Sequence, residues 1–273
     1  MKTEKEFNDL FGTTKPIIGM VHLRPLPGSA PYEKGGLDPV IDQALEEANI
    51  LLDNGVNGLN IENYFDMSYS PDTAPAETVA SMAIIAHEIR RAHPDAVLGI
   101  CVLADPVASL AVANAINAQF IRATFFTEAS VDVSGLVIRR PHEILRYRKF
   151  INPSIKIFAD VHIKHSAPLA QRPLEESAYD AAYFLADAVI ISGKHTGFPT
   201  NIEDIKKVRK VLPDFPILIG SGINEASVDS MFQYATGAFA GTTLKKDGKT
   251  DNSVDASRVR AFMEAVKKIR MDL

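Results

Sequence analysis

Two short stretches near the end of this chain restrict its fold more than any other feature: Pro216-Ile-Leu-Ile-Gly-Ser-Gly-Ile-Asn224 and Thr236-Gly-Ala-Phe-Ala-Gly-Thr-Thr-Leu-Lys245. Each is an apolar run that breaks into small, hydrogen-bonding residues and then a helix start. Backbone N–H groups at Gly222, Gly241 and Thr242 are thereby placed to converge on one anion, with Ser221 as a further donor. Two consecutive strand-plus-glycine elements at the end of an alternating strand–helix chain are where a (β/α)8 barrel keeps its phosphate site, after strands 7 and 8. The pair points to a small phosphorylated metabolite as ligand and says much less about the reaction. The plain alternative is two tight strand–helix turns.

The rest of the chain supplies six more strand–helix cycles. Apolar runs at 16–23, 58–63, 98–104, 120–126, 156–164 and 188–193 read as strands. Helical periodicity covers 38–54, 75–93, 106–117, 142–150, 174–187, 201–212 and a last amphipathic stretch at 255–271, with Val259, Phe262, Met263, Val266 and Ile269 on one stripe. Asp38-Pro39 and Asp105-Pro106 each read as a capping Asp followed by proline at the first helical position. Residues 1–15 form an arm or short helix around Phe7, Leu10 and Phe11. Eight parallel strands can close into a barrel or open into a doubly wound sheet. Closure is favoured because no Gly-x-Gly-x-x-Gly turn follows the first strand and the glycine-rich turns come last. At 273 residues the chain matches the length of one such barrel, about 250 residues, so a single domain over 1–273 is expected.

Bulk properties bound the partners. A formal net charge of −5 argues against nucleic acid and anionic membrane surfaces, which need clustered Lys and Arg. The lone cysteine, Cys101, leaves no internal disulfide and no cysteine-based zinc cluster. No apolar run approaches the ~18 residues of a spanning helix, and the first residues lack a signal peptide's apolar core. A cytoplasmic protein without membrane insertion, assembling as a homo-oligomer, is the expectation.

Polar residues at the carboxyl ends of barrel strands face substrate. The richest such end is Asp160-Val-His-Ile-Lys-His165. Strand alternation would put Asp160, His162 and Lys164 on one face, where His162 and Lys164 supply acid, base or charge stabilisation and Asp160 orients or ligates. The alternative is a structural Asp–Lys pair with a satisfied histidine. His22 ends the first strand and Glu62 the second, on the same face as Asn60. Asp105 reads as a helix cap, and Arg122 as a partner for a carboxylate inside the barrel. His22, Glu62, Asp160 and His162 together leave room for a divalent metal ion, although no metal-ligand spacing supports one and no other cofactor is indicated. Between the first strand and its helix, Pro25-Leu-Pro27 gives a stiff loop able to cover the mouth. After the sixth strand, Ile191-Ser-Gly-Lys-His-Thr-Gly197 offers Ser192, Gly193 and Lys194 beside the phosphate turns in a loop able to close on ligand. Lys245 and Lys246 are placed at the rim.

Several of these blocks also carry a resemblance. Ile18-Gly-Met-Val-His-Leu-Arg-Pro-Leu-Pro-Gly-Ser29, Ala159-Asp-Val-His-Ile-Lys-His165, Ser192-Gly-Lys-His-Thr-Gly197 and Gly241-Thr-Thr-Leu-Lys-Lys-Asp-Gly-Lys249 closely resemble the BtpA family across nearly the whole chain. The resemblance implies a barrel of the ribulose-phosphate-binding type. It also implies two functional classes. One is an enzyme on a phosphorylated sugar or related metabolite, of isomerase, epimerase or aldolase type. The other is a non-catalytic metabolite-binding or assembly factor, as in the photosystem I role from which the family is named.

Overall fold

The structure, a computed structural model, describes residues 3–67, 69–193 and 195–271. In chain order the elements are α1 (Glu4–Phe11), β1 (Ile17–His22), α2 (Asp38–Asp53), β2 (Gly58–Glu62), α3 (Ala76–Ala92), β3 (Leu98–Cys101), α4 (Pro106–Ala115), β4 (Phe120–Ala123), β5 (Ser130–Asp132), β6 (Gly135–Val137), α5 (Pro141–Ile151), β7 (Lys156–Val161), β8 (Ser166–Pro168), α6 (Leu174–Tyr183), β9 (Ala188–Ile191), α7 (Ile202–Val211), β10 (Ile217–Ile219), α8 (Val228–Phe232), β11 (Gly237–Ala240) and α9 (Ala256–Met271). Eight of the strands close into a parallel barrel in the order β1-β2-β3-β4-β7-β9-β10-β11, with β11 hydrogen-bonded back to β1. This is the (β/α)8 architecture that the alternation and the late glycine turns imply.

Every residue of the barrel strands is buried except Lys156 at the start of β7, because parallel strands in a barrel bury both faces. The outward face packs on the helices, with Ile17, Val21, Leu59, Ile61, Ile121, Ile157 and Val189 in one continuous apolar layer. The inward face of the lower half is a second cluster: Ile18, Met20, Phe120, Phe158, Ile190, Leu218 and Phe239. Phe120 and Phe158 stack with ring centroids 4.6 Å apart, and α1 seals the floor by bringing Phe7 to 5.4 Å from Phe158 and Phe11 to 6.1 Å from Phe120. Gly99 makes room for this stack: a Cβ there would sit 2.0 Å from the Phe120 ring. The N-terminal arm is therefore a plug held by Phe7 and Phe11, and its capping box at Thr3 and Glu6 defines where the helix starts.

Two local expectations are corrected. Asp38 is not the cap of α2; the cap position is Leu37, and Asp38 lies in the first turn with no side-chain capping bond. Asp105 does cap α4, accepting from the N–H groups of Val107 and Ala108 and also from Ala74. The strand expected over 156–164 stops at Val161, because His162 takes a left-handed backbone, φ 48°. After β4 the chain forms β5, which pairs with β6 and with β8 in a small antiparallel sheet beside the barrel. Its turn is set by Asp132, whose carboxylate accepts from both the N–H and the hydroxyl of Ser134.

Candidate functional site

Above the aromatic floor the inward face turns polar. Arg122 of β4 is 3% exposed and binds Asp160 of β7 with two parallel hydrogen bonds, Nε to Oδ2 at 2.8 Å and a terminal nitrogen to Oδ1 at 2.9 Å. Its other terminal nitrogen lies 3.6 Å from Oε2 of Glu62 on β2. Burial opposes the guanidinium charge, but Asp160 and then Glu62 more than offset this and its pKa rises. The guanidinium also lies 5.1 Å above the Phe239 ring, so it joins the floor to the mouth. Arg122 is thus the paired arginine expected inside the barrel, with two carboxylate partners.

His22 sits across from Glu62 in the β1–β2 register. Its ring stacks on Tyr64, centroids 4.5 Å apart, and burial pushes its pKa well below the usual value, helped by the positive charges of Lys245, Lys164 and Arg122. A neutral imidazole follows. Among the described residues its Nδ1 has no hydrogen-bond partner, and neither does Oε2 of Glu62 or Oδ1 of Asn60. Buried polar atoms are rarely left unpaired, so three on adjacent inward positions mark a place prepared for something polar. Cys101 lies close by on β3, its thiol pushed up by burial and then by Glu62, which leaves it protonated and unreactive.

Beyond β7 the expected common face of Asp160, His162 and Lys164 does not form. The left-handed turn at His162 reverses the alternation. Its Nε2 lies 3.1 Å from the buried Ser177 hydroxyl of α6 and 3.6 Å from Glu128, and Ser177 in turn donates to Glu128. Lys164 faces the barrel charges instead: burial lowers its pKa, Arg122 adds to this, and Glu62 and Asp160 act against it. Asp160 is held by Arg122, so the expected Asp160–Lys164 pair is absent. The four residues considered for a metal do not converge either, and among the described residues no three His, Cys, Asp or Glu side chains come together as a ligand set.

The two late glycine turns meet a loop. Ser221 donates its hydroxyl to the Phe198 carbonyl at 3.1 Å and accepts from the Gly193 N–H at 2.8 Å. Gly222, φ 67°, lies so close to this loop that a Cβ would be 2.3 Å from the Phe198 oxygen. Its glycine therefore answers to backbone conformation and loop packing. Among the described residues the N–H groups of Ser221, Gly222, Gly241 and Thr242 find no internal acceptor. The hydroxyl of Thr242 pairs with that of Thr250 at 2.8 Å. Thr196 lies against His165 after β7, with Nε2 3.3 Å from its hydroxyl, and close to the Tyr64 phenol after β2. Gly197 packs on Thr242 after β11. Segment 195–198 thus spans the mouth from side to side, while Lys194 lies outside the described residues.

The proline loop after β1 is an anchored rim. Leu26 is fully buried and its N–H donates to Asp66 at 2.7 Å. Lys245 is not at the rim: it is 1% exposed and pairs with Glu47 of α2 at 2.7 Å, whereas Lys246 is exposed. A cleft of about 860 Å3 opens beside the mouth, lined by His162, Lys164, Ser192, Gly193 and His195 among others. Glu128 and Ser177 carried no signal in the sequence, since neither lies at the carboxyl end of a strand; only the turn at His162 brings them into the site.

Among known proteins, the chain is 37% identical to an uncharacterized protein of Thermococcus kodakarensis over 94% of this chain and 97% of that one. It is 36% identical to the photosystem I biogenesis protein BtpA of Synechocystis over 94% of this chain and 89% of that one. Its fold is similar to that of (S)-3-O-geranylgeranylglyceryl phosphate synthase of Thermoplasma acidophilum, solved in complex with its substrate sn-glycerol-1-phosphate. The two share a TM-score of 0.59 at 12% identity, with 100% of each chain covered. The family model of the BtpA family matches residues 13–268, and with relatives of this identity along almost its whole length the chain belongs to the BtpA family.

Proposed function

We propose that this protein is an enzyme acting on a small phosphorylated sugar or related carbonyl metabolite, by isomerisation, epimerisation or aldol-type cleavage. The observation that carries the reading is the pairing of two features at one barrel mouth. One is a set of main-chain N–H groups without internal acceptors at Ser221, Gly222, Gly241 and Thr242. The other is a buried charged layer, Arg122, Asp160 and Glu62, in which Oε2 of Glu62 and the neighbouring Nδ1 of His22 make no hydrogen bond among the described residues. The first suits a phosphate. The second suits a reaction in which a proton moves beside a carbonyl and the developing oxyanion is stabilised. The similarity of fold to a protein solved with a phosphorylated substrate supports the ligand class.

A thermal-shift panel of phosphosugars tests the reading. A ligand present at about 100 times its dissociation constant stabilises by about 2.7 kcal/mol, an upward shift of about 5 °C for a chain of this size. Gly241→Asp should abolish that shift by placing a carboxylate in the cradle. It is a cleaner probe than Gly222→Asp, because a Cβ at Gly241 meets side-chain atoms no nearer than 3.2 Å, whereas at Gly222 it would strike backbone. A folded Gly241→Asp protein with the wild-type response would remove the cradle. The name of the Synechocystis relative favours a second reading, a non-catalytic metabolite-binding or assembly factor. That reading takes the lead if phosphosugars bind and none is turned over.

A further inference from the structure

Among the described residues three cations reach the upper half of the barrel, and their surroundings differ. Arg122 is held by Asp160 and Glu62, and Lys245 by Glu47. Lys164 has no such partner: among the described residues its Nζ makes neither an ion pair nor a hydrogen bond. It lines the cleft of about 860 Å3 together with His162, Ser192 and Gly193, so a small molecule entering the mouth from that side meets it. The charges of the polar layer, Arg122, Glu62 and Asp160, act on it.

We propose that Lys164 is the nucleophile of this site and forms an imine with the carbonyl carbon of a phosphorylated aldehyde or ketone. The proposal rests on the reading of the mouth as a phosphometabolite site and narrows it to imine-based, aldol-type chemistry. An amine attacks carbonyls only when neutral, and enzymes obtain a neutral lysine by desolvation or by a neighbouring cation. Lys164 has both: burial pushes its pKa down and Arg122 adds to the effect, against the pull of Glu62 and Asp160. Arg122 keeps its own charge because its two carboxylates hold it, so the cation that lowers the lysine's pKa is permanent.

The step balances without an outside reagent. The Nζ lone pair adds to the carbonyl carbon, and the π pair moves to oxygen, which takes a proton. Nitrogen releases one proton, the hydroxyl takes up another and leaves as water to give the protonated imine, and loss of the second nitrogen proton gives the neutral imine. Amine plus carbonyl gives imine plus one water. Oε2 of Glu62, which faces Arg122 at 3.6 Å, and Nδ1 of His22, neither with a hydrogen bond among the described residues, are the acceptors nearby for those protons. Once protonated, the imine draws the electron pair from a C–H or C–C bond on the adjacent carbon. Hydrolysis returns the amine. Lys245 cannot replace Lys164, since its Nζ donates to Glu47 at 2.7 Å and the residue is 1% exposed, out of reach of the cleft.

Borohydride reduction turns an imine into a stable secondary amine and so reports it directly. The purified protein is incubated separately with pyridoxal 5′-phosphate, glyceraldehyde 3-phosphate and dihydroxyacetone phosphate, reduced, and mapped by peptide mass spectrometry. A single adduct on Lys164, suppressed by inorganic phosphate and reduced about 10-fold or more in Lys164→Arg, is the expected result. Lys164→Met serves as a second variant, and melting curves establish that both are folded. Labelling confined to other lysines overturns the proposal. If a probe raises the melting temperature of the wild-type protein yet leaves Lys164 unlabelled, the imine is excluded and the phosphometabolite reading stands. If no probe either stabilises or labels the protein, both fail together.

Discussion

At the floor of the barrel, Phe120 and Phe158 stack 4.6 Å apart above Phe7 and Phe11, and the interior is closed by apolar side chains. One layer higher, on the same strands and with the same inward alternation, Arg122 and Asp160 replace them as the next inward residues. The floor is stabilised by apolar burial, which is non-directional and does not depend on pH. The mouth gains little from its charges, because desolvation consumes most of what the ion pairs return. A layer that contributes little stability and, among the described residues, leaves three polar side-chain atoms without a hydrogen bond is one whose composition answers to something other than folding.

The largest effects should come from breaking either layer, and a second substitution tells the two apart. Phe158→Ala is expected to cost about 3–5 kcal/mol in urea denaturation, from lost burial and the cavity left under α1. Arg122→Met should cost a similar 3–5 kcal/mol, because it leaves Asp160 and Glu62 buried without a counter-charge. Adding Asp160→Leu and Glu62→Leu to Arg122→Met should recover most of that loss, since an apolar replacement of a buried ion pair is often neutral. No substitution at the mouth should rescue Phe158→Ala. Failure of the triple variant to recover would mean that the polar layer is itself a structural network.

A sharper contrast separates the two enclosed lysines. Lys245→Met should lower stability by about 3–5 kcal/mol by stranding Glu47, whose pKa burial already raises against the pull of Lys245. Lys164→Met should change stability by less than about 1 kcal/mol, because no partner is stranded. Equal losses in the two variants would show that Lys164 has a structural partner in solution.

The smallest effect concerns His22. Its folded pKa is depressed, so below about pH 6.5 the unfolded chain binds a proton that the folded one does not. Stability therefore falls as pH falls through that range, by at most about 1.4 kcal/mol per pH unit, and the contribution is absent above it. His22→Asn should show a shallower loss between about pH 6.5 and 5 than the wild type. Taking the difference between the two proteins cancels the opposite slopes of Glu47 and Asp66, whose pKa values burial raises. Superimposable profiles would mean that His22 titrates as an exposed histidine.

Much of the architecture was readable in the chain. Alternating apolar periods, proline at helix starts and the two late glycine turns imply eight strand–helix cycles closing into a barrel, and these are local properties of consecutive residues. Inward positions followed from strand parity for as long as the strand lasted: His22, Glu62, Arg122 and Asp160 all face the interior. Parity stopped serving where the backbone left the β region, and His162 shows why. A left-handed turn costs on the order of 1 kcal/mol in isolation, so propensity argues against it, and only the surrounding contacts with Ser177 and Glu128 hold it. The same holds for β5, β6 and β8, strands of three residues each, too short to show a period.

By itself the sequence determined the fold class, the family, the strand ends that carry polar groups and the glycine turns suited to a phosphate, because each depends on residues adjacent in the chain. Tertiary structure alone decided which charges are paired. It gave Asp160 to Arg122, Lys245 to Glu47 and Ser221 to the loop at Phe198, and among the described residues it left Lys164 facing the cleft without an ion-pair partner. Pairing is a matter of distances between strands far apart in sequence, and below about 4 Å in a low-dielectric interior those distances outweigh any preference encoded locally.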